Sequence, residues 1–187
     1  MKCSVFIATS ADGYIAKIDG SVDWLHTAGN PKADMGDNLD MGFVRFFNSV
    51  DCLIMGRKSM EVISNMNLTP EQWPYGDTPI IVLSKTLKGP PANLMGKVEM
   101  YAGELPDLIK KLEHTGYQHA YIDGGATITS FINLKYIDEM IITRAPILLG
   151  AGIPLFGDII QNVKLENAQT TAFPNDFIQV KYSIKYL

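Results

Sequence analysis

Short apolar runs alternate with longer polar stretches over most of this chain. Runs of about four to eight residues, bounded by glycine, proline or polar residues, are typical of buried strands. A strand begins almost at the N-terminus, and others follow at intervals along the chain. The predicted strands in this part of the sequence are 2–9, 52–55, 79–84, 97–101 and 119–122.

Helical periodicity fills the segments between these strands. The clearest case is 104–115, where apolar residues recur three and four positions apart. Pro106 suits the first turn of that helix, and Gly116 follows its end. Shorter helices are predicted over 40–49, 58–64 and 125–133.

The last third of the chain changes character. Residues 137–149 and 176–186 both have the pattern of long strands, and the second alternates apolar and polar side chains. Strand–helix–strand units followed by a β-rich end predict an α/β fold with a mostly parallel sheet and an antiparallel edge. The sequence contains no repeat or linker, so we expect one domain over 1–187.

Composition and charge narrow the class of protein. The chain has 187 residues, of which 47% are apolar and 19% charged, as in ordinary globular proteins. A net charge of −4 argues against nucleic acid as a partner. No apolar run approaches the ~18 residues of a membrane span, and no secretion signal is evident. Cys3 and Cys52 lie in apolar runs and are expected to be buried thiols. A cytoplasmic location is therefore expected.

Candidate chemistry begins where the second predicted strand ends. Gly56 follows an apolar strand and precedes Arg57, Lys58 and Ser59, which can open a helix. The start of a helix offers unpaired N–H groups and partial positive charge, and so attracts anions. A second junction of this kind, Gly124-Gly125-Ala126-Thr127, follows a later strand. Two such junctions indicate a ligand with several phosphates, such as a dinucleotide.

Simpler interpretations of these glycines stay open. Gly56 or Gly124-Gly125 alone could be ordinary turns between a strand and a helix. Ser84-Lys85, which ends the strand after Gly56, could be a solvated loop. The Gly-x-Gly-x-x-Gly fingerprint of the Rossmann fold is absent. Gly150 and Gly152 lack a following helix and are typical of a turn between strands.

Several segments resemble one known superfamily. The run Val-Phe-Ile-Ala-Thr-Ser-Ala-Asp-Gly-Tyr-Ile-Ala (5–16) resembles the opening of reductase domains in the dihydrofolate reductase superfamily. Segments 53–61, 81–84 and 122–125 follow in the order of its cofactor segments. The run Leu-Leu-Gly-Ala-Gly-Ile-Pro-Leu-Phe (148–156) is similar to the riboflavin-biosynthesis reductase branch, the RibD C-terminal domain. The resemblance implies a three-layer α/β/α fold, NADPH as cofactor and a homodimer.

The resemblance also implies which residues bind the cofactor. Gly56 to Ser59 and the Gly124-Gly125 turn would hold the phosphates. Ser84 and Lys85, with Arg57, would meet the adenosine 2′-phosphate and favour NADP over NAD. Ala8 and Ile15 match positions that flank the nicotinamide. The full set of expected cofactor-binding residues is Ala8, Ile15, Gly56, Arg57, Lys58, Ser59, Leu83, Ser84, Lys85, Gly124, Gly125, Ala126 and Thr127.

On the substrate side, the resemblance points to an acid. Asp40 precedes Gly56 by sixteen residues, the register of the pterin-contacting acid in conventional dihydrofolate reductases. A proton source in an apolar pocket is usually a carboxyl group with a raised pKa, so Asp40 is the catalytic candidate. Asp40 could equally be an acid that stabilises a helix start. Asp12 is a second candidate acid, and its favoured role is in forming a turn. The matching substrate-binding residues are Trp24, Phe43, Val44 and Thr143, although Phe43 could instead belong to the core.

Departures from conventional dihydrofolate reductases favour a substrate other than folate. Thr78 stands where those enzymes carry an arginine for the folate tail, and residues 27–37 resemble an insertion. The predicted activity is NADPH-dependent reduction of a small heterocycle, most specifically 5-amino-6-(5-phosphoribosylamino)uracil. The candidates for its phosphate are Lys32, Arg45 and Arg144. The deaminase zinc motif is absent, and no metal is expected.

Two alternatives remain at this point. One is a true dihydrofolate reductase. The other is a non-catalytic NADP(H)-binding module in which Trp24 or Phe43 blocks the substrate pocket.

Overall fold

A central sheet with helices on both faces dominates the computed structural model, which describes all residues from Met1 to Leu187. Four helices accompany the strands. The strands are β1 (Lys2–Thr9), β2 (Tyr14–Ala16), β3 (Cys52–Gly56), β4 (Ile80–Leu83), β5 (Glu99–Tyr101), β6 (His119–Asp123), β7 (Glu139–Arg144), β8 (Ile153–Pro154), β9 (Val163–Ala172) and β10 (Ile178–Tyr186). The helices are α1 (Phe43–Phe47), α2 (Arg57–Asn65), α3 (Leu105–His114) and α4 (Gly125–Asn133).

Eight of the strands form one mixed sheet in the order β5-β4-β3-β6-β1-β7-β10-β9. The first six strands of this order run parallel to their neighbours. β10 pairs antiparallel with both β7 and β9. The prediction of a mostly parallel sheet with an antiparallel C-terminal edge is therefore confirmed. β2 and β8 pair with each other outside the main sheet.

The central strand β3 shows how both faces of the sheet are covered. Cys52 and Ile54 belong to one buried cluster, together with side chains of α3 and α4. Leu53 and Met55 belong to another, with side chains of α1 and α2. Because successive side chains of a strand point to opposite faces, this division gives the predicted three-layer α/β/α arrangement.

Three local predictions from the sequence were wrong. The helix expected over 40–49 is shortened to Phe43–Phe47, because Met41 and Gly42 have left-handed φ angles of 50° and 86°. The strand expected over 137–149 ends at Arg144. Strand β9 was not predicted, since most of its residues are exposed and its sequence lacks a regular apolar alternation.

The two cysteines, Cys3 and Cys52, are buried and unpaired, as predicted. Burial raises the pKa of each thiol to about 12, which keeps both sulfurs protonated and unreactive. None of the helices is long and apolar enough to cross a membrane.

Candidate active site

Two helices begin side by side at the carboxyl edge of the sheet. The ends of β3 and β6 are neighbours, with Met55 paired to Asp123. α2 and α4, of nine residues each, follow these strands directly. Each helix has a glycine at its N-cap, Gly56 or Gly124, and neither has a side-chain cap. The unpaired N–H groups and the positive ends of two helix dipoles are therefore close together, as an extended anion requires.

The turns that precede these helices are interlocked. A Cβ atom on Gly56 would lie 2.9 Å from Thr127 Oγ1, on the other helix. Conversely, a Cβ on Gly124 would lie 2.5 Å from Ser59 Oγ, and the φ of Gly124 is +90°. Four of the residues predicted to bind the cofactor are thus brought into mutual contact, and both glycines are required by this packing.

Positive charge at the start of α2 is only partly compensated. Arg57 and Lys58 both lie near the carboxylate of Glu61, at N···O distances of 3.5 and 3.3 Å. One acid therefore faces two bases, which leaves a net positive charge beside the N–H groups of the helix.

Strand β4 brings a third predicted segment to the same edge. Leu83 pairs with Gly56, so Ser84 and Lys85 follow directly beside the start of α2. Ser84 Oγ accepts a hydrogen bond from the N–H of Leu87 at 3.0 Å. Lys85 Nζ donates to Glu104 Oε1 at 2.6 Å, an exposed ion pair. The ammonium group of Lys85 is thus held at the edge of the sheet by an acid that a phosphate could replace.

The segment that contains Ile15 closes one side of the α4 turn. A Cβ on Gly125 would meet the carbonyl oxygens of Leu155 and Pro154 at 2.8 and 2.9 Å, and Ile15 Cδ1 at 3.1 Å. The β2–β8 pair therefore packs on the start of α4. Asp12, in the turn before β2, connects this strand pair to the loop before β8.

The carboxylate of Asp12 joins two loops. It accepts hydrogen bonds from the N–H groups of Leu149 and Gly150 at 3.1 and 2.8 Å, and from the hydroxyl of Ser10 at 2.6 Å. These hydrogen bonds, that of Ser10 above all, lower the pKa of Asp12. The turn role that the sequence favoured for Asp12 thus extends to a contact with the Leu-Leu-Gly run.

A cavity of about 340 Å³ opens on the α1 face of the sheet, at the ends of β1 and β7. Ala8 and Thr143, which are paired across these strands, belong to its wall, and so does Asp40. Asp40 is the only acidic residue of the lining. The lining residues are Phe6, Ala8, Leu25, His26, Gly29, Asn30, Pro31, Asp40, Met41, Thr143, Asn175 and Phe177.

The segment that resembles an insertion, 27–37, forms part of this wall. A Cβ on Gly29 would lie 2.6 Å from the ring of Phe177 and 2.8 Å from the carbonyl oxygen of Asn175. The backbone of Asn30 donates to that same carbonyl at 3.2 Å. The segment therefore closes the cavity against the turn between β9 and β10.

Asp40 lies at the cavity, but its carboxyl group does not have the raised pKa that the sequence analysis expected. Its carboxylate accepts hydrogen bonds from the backbone N–H groups of Val44 and Gly42, at 2.7 and 3.0 Å. These bonds lower its pKa, with the bond from Val44 contributing most. The expectation of a raised pKa at this residue is wrong. Asp40 is ionised at neutral pH and can accept a hydrogen bond, but it holds no proton to donate.

Three residues expected at the substrate are not part of the cavity lining. Trp24 is buried in a small cluster with Ala145, Phe173 and Phe177, because the loop folds its largest apolar side chain inward. Phe43 packs against the ring of Phe6, with centroids 5.6 Å apart, and Val44 is exposed on α1. Of the expected substrate-binding residues, only Thr143 lines the cavity directly.

Asp123 was missed by the sequence analysis as a candidate acid. It ends the central strand β6, is only partly exposed, and lies near Ser59 and the hydroxyl of Tyr121. Burial raises its pKa, although hydrogen bonds from Ser59 and Gly124 oppose the shift. Its place immediately before Gly124-Gly125 was the available signal. A carboxyl group with a raised pKa between two helix starts is a candidate for proton transfer.

Comparisons with known proteins agree with this architecture. Residues 2–179 match the family described as RibD C-terminal domain. The uncharacterized protein YwjB of Bacillus subtilis is 34% identical over 183 residues, and the match covers 97% of each chain. A solved structure from Shewanella sp. PV-4, provisionally assigned to riboflavin biosynthesis, has 41% identity and a TM-score of 0.87 over 99% of each chain.

A more distant structure shows the fold alone. The Thermotoga maritima diaminohydroxyphosphoribosylaminopyrimidine deaminase/5-amino-6-(5-phosphoribosylamino)uracil reductase is 15% identical, with a TM-score of 0.69. The match covers 97% of this chain and 56% of that protein. From the family match over nearly its whole length and from these relatives, the chain belongs to the RibD C-terminal domain family.

Proposed function

We propose that this chain is an NADPH-dependent reductase that transfers a hydride to a small heterocyclic substrate. The observation that carries the proposal is the pair of uncapped helix starts, α2 and α4, beside a cavity at the same edge of the sheet. The helix starts suit the diphosphate of a dinucleotide, and the cavity suits a flat ring. Hydride transfer needs both within reach of each other.

The groups at the helix starts fit the proposed cofactor. Backbone N–H groups at Arg57 to Ser59 and at Gly125 to Thr127 would hold the pyrophosphate. Leu83, Ser84 and Lys85, at the end of β4, would take the adenosine end and its 2′-phosphate. Ala8 in the cavity wall and Ile15 beside Gly125 would flank the nicotinamide. When bound, NADPH supplies the hydride.

The chain's own residues would orient the substrate and keep water out. Phe6, Ala8 and Phe177 give the cavity apolar walls. Ionised Asp40 would accept a hydrogen bond from a substrate N–H group. Phe43 and Trp24 would act indirectly, since Phe43 packs on Phe6 and Trp24 belongs to the cluster of Phe177. Val44 would act through its N–H group, which binds Asp40.

Asp123 is the better proposed source of a proton. It does not line the cavity itself, but the hydroxyl of Tyr121 lies 3.5 Å from its carboxylate and 2.7 Å from the carbonyl oxygen of Phe6, a residue of the cavity wall. Burial favours its neutral form, whereas backbone hydrogen bonds favour the ionised form of Asp40. The two acids would therefore have separate roles: Asp40 positions the substrate and Asp123 donates the proton.

An open cavity favours an enzyme over the alternative of a non-catalytic module. That alternative requires Trp24 or Phe43 to block the pocket, yet neither lines it. The finer proposal, reduction of 5-amino-6-(5-phosphoribosylamino)uracil, needs a cation for the phosphate. All three candidates are exposed: Lys32 and Arg144 directly follow Pro31 and Thr143 of the cavity wall, and Arg45 lies on α1.

The decisive experiment combines binding with turnover. NADPH should quench the tryptophan fluorescence and raise the Tm, and its oxidation should require a pyrimidine or pterin substrate. Activity with 5-amino-6-(5-phosphoribosylamino)uracil supports the finer proposal, and activity with dihydrofolate alone supports a dihydrofolate reductase. Binding without turnover of either compound refutes a reductase of these substrates. Absence of NADPH binding at millimolar concentration refutes the whole proposal. Analytical ultracentrifugation tests the proposed homodimer.

A further inference from the structure

Three paired residues form a row across the face of the sheet that carries the cavity. Ala8 on β1 is paired with Thr143 on β7, and Thr143 is paired with Gln179 on β10. Residues that are directly paired on neighbouring strands point to the same face of the sheet. Gln179 therefore stands on the cavity face, directly behind Thr143, although it does not line the cavity itself.

The side-chain amide of Gln179 uses both hydrogens of its amino group. Nε2 lies 2.8 Å from Thr143 Oγ1 and 3.1 Å from the carbonyl oxygen of Met41. A carbonyl oxygen can only accept, so the group that faces Met41 must be the amino group. One hydrogen is given to Met41 and the other to Thr143. The hydroxyl oxygen of Thr143 is thereby fixed as an acceptor toward Gln179.

The hydroxyl hydrogen of Thr143 is consequently free for another partner. Thr143 is 3% exposed, and its hydroxyl makes no other hydrogen bond within the protein. A buried O–H group without an acceptor is unfavourable. Since Thr143 belongs to the cavity wall, a molecule in the cavity can provide the missing acceptor.

Gln179 also holds the backbone of a second residue of the cavity wall, Met41. Met41 lines the cavity and has a φ of +50°, in the left-handed region that is unfavourable for a methionine. Its carbonyl is held by Gln179, and the next N–H group, at Gly42, is held by the carboxylate of Asp40. The side-chain amide of Gln179 thus orients the hydroxyl group of Thr143 and also holds the backbone of Met41.

We propose that Gln179 is a positioning residue that makes Thr143 a hydrogen-bond donor into the cavity, so that the substrate carries a carbonyl oxygen at that point. The inference rests on the proposed function in that it takes the cavity as the substrate site. It assigns a role to Gln179 on the antiparallel edge of the sheet, and it places a hydrogen-bond donor at one point of the cavity wall.

Binding of 5,6-diaminouracil, a small ring with two carbonyl groups, tests the inference. The Kd is measured by calorimetry without NADPH. Thr143→Val removes the donor and should weaken binding roughly tenfold, whereas Thr143→Ser keeps it and should stay within about twofold. Gln179→Met should weaken binding roughly three- to tenfold, because the hydroxyl of Thr143 then rotates freely. The loss in the double variant Thr143→Val/Gln179→Met should be smaller than the sum of the two single losses, since Gln179 acts largely through Thr143.

Controls separate this role from general stability. Gln169→Met makes the same change on β9, at an exposed residue without a side-chain hydrogen bond, and should leave the Kd unchanged. NADPH affinity, measured on the same samples, should be the same in all variants. Unchanged diaminouracil binding in Thr143→Val, additive losses in the double variant, or no binding to the wild type would overturn the inference. NADPH binding tests the proposed function independently of these results.

Discussion

Gly56 and Thr127 meet where two strand–helix units dock, and the contact leaves no room for a side chain on residue 56. A Cβ there would lie 2.9 Å from Thr127 Oγ1. Gly56 has an ordinary extended backbone, with φ −81° and ψ 164°, so the requirement is one of space and not of backbone conformation. The same contact sets how closely the N-termini of α2 and α4 approach each other, and hence the geometry of the proposed pyrophosphate site.

Gly56→Ala should destabilise the protein and weaken NADPH binding. Forcing a methyl group into a packed contact costs about 1–3 kcal/mol, and the shift needed to relieve it moves one helix start away from the other. Thermal unfolding gives the stability change, and fluorescence titration gives the NADPH affinity.

Removing the opposing oxygen should restore much of this loss. In the double variant Gly56→Ala/Thr127→Ala, the atom that a Cβ would meet is gone. Gly89→Ala is the matched control, because a Cβ at residue 89 meets nothing within 4 Å. If Gly56→Ala were no more destabilising than Gly89→Ala, the packing argument would be wrong.

Lys85→Ala should reduce the preference for NADPH over NADH. The Lys85 ammonium is proposed to exchange its exposed ion pair with Glu104 for the 2′-phosphate that only NADPH carries. Its loss should lower the ratio of the two affinities roughly three- to tenfold, with the effect diminishing at high salt. Lys88→Ala removes an exposed lysine nearby and serves as control. Equal losses for both cofactors would exclude contact with the 2′-phosphate.

The sequence could predict the paired helix starts, the proposed cofactor site, because they are built from local motifs. A glycine after an apolar strand and before a helix identifies each strand–helix unit, and parallel strands carry their ends to the same edge. The contacts between Gly56 and Thr127 and between Gly124 and Ser59 follow once β3 and β6 are neighbours.

The cavity depends on contacts between segments that are distant in the sequence, and the sequence alone could not specify those contacts. Gln179 reaches Thr143 only because β10 turns back beside β7 in a particular register. Trp24 is turned inward by Phe173 and Phe177, about 150 residues later in the chain. Asp40 has the spacing from Gly56 that is expected of an acid in the substrate pocket. Its pKa, however, is lowered by two backbone N–H groups that reach its carboxylate only because the chain bends at Gly42.

Asp40→Asn should lower turnover much more than NADPH affinity. The amide keeps the size of the side chain but loses the charge that is proposed to hold a substrate N–H group. We expect kcat/KM to fall roughly tenfold or more, with the Kd for NADPH within about twofold of wild type. Asp37→Asn alters a nearby exposed acid outside the cavity lining and is the control. Unchanged turnover in Asp40→Asn would eliminate its proposed role.

Asp123→Asn should separate the stability of the protein from its activity. Burial raises the pKa of this carboxyl group above its value in the unfolded chain, so ionisation lowers the free energy of unfolding once the pH exceeds that unfolded value. The variant should therefore have a higher Tm than wild type at pH 7, and the difference should vanish toward pH 4. Turnover should fall because the proposed proton donor is lost.

Asp51→Asn provides the contrast to Asp123→Asn. Hydrogen bonds from the N–H groups of Gln118 and His119 lower the pKa of Asp51, at the opposite end of the sheet. Its ionised form is therefore stabilising, and the substitution should lower the Tm at pH 7 without affecting NADPH binding. A lower Tm in both variants at neutral pH would contradict the assignment of Asp123 as an acid whose pKa is raised by burial.

His119 should make the stability of the protein depend on pH below about 7. Its Nδ1 donates to the carbonyl oxygen of Ser49 at 2.7 Å, so Nε2 is the acceptor for the hydroxyl of Ser4 at 2.8 Å. Burial, assisted by the charge of Lys2, lowers the pKa below its usual 6.5.

The unfolded chain therefore takes up a proton before the folded protein does. The free energy of unfolding should fall as the pH drops through 6.5 and stop falling below the pKa of the folded state. In His119→Asn, which keeps a donor for Ser49 but does not titrate, this decline should be absent. Thermal unfolding at half-unit pH intervals measures this decline. NADPH affinity should be equal in both proteins, because His119 lies at the end of β6 that is far from the proposed cofactor site. The same decline in the variant would assign the pH dependence to other groups.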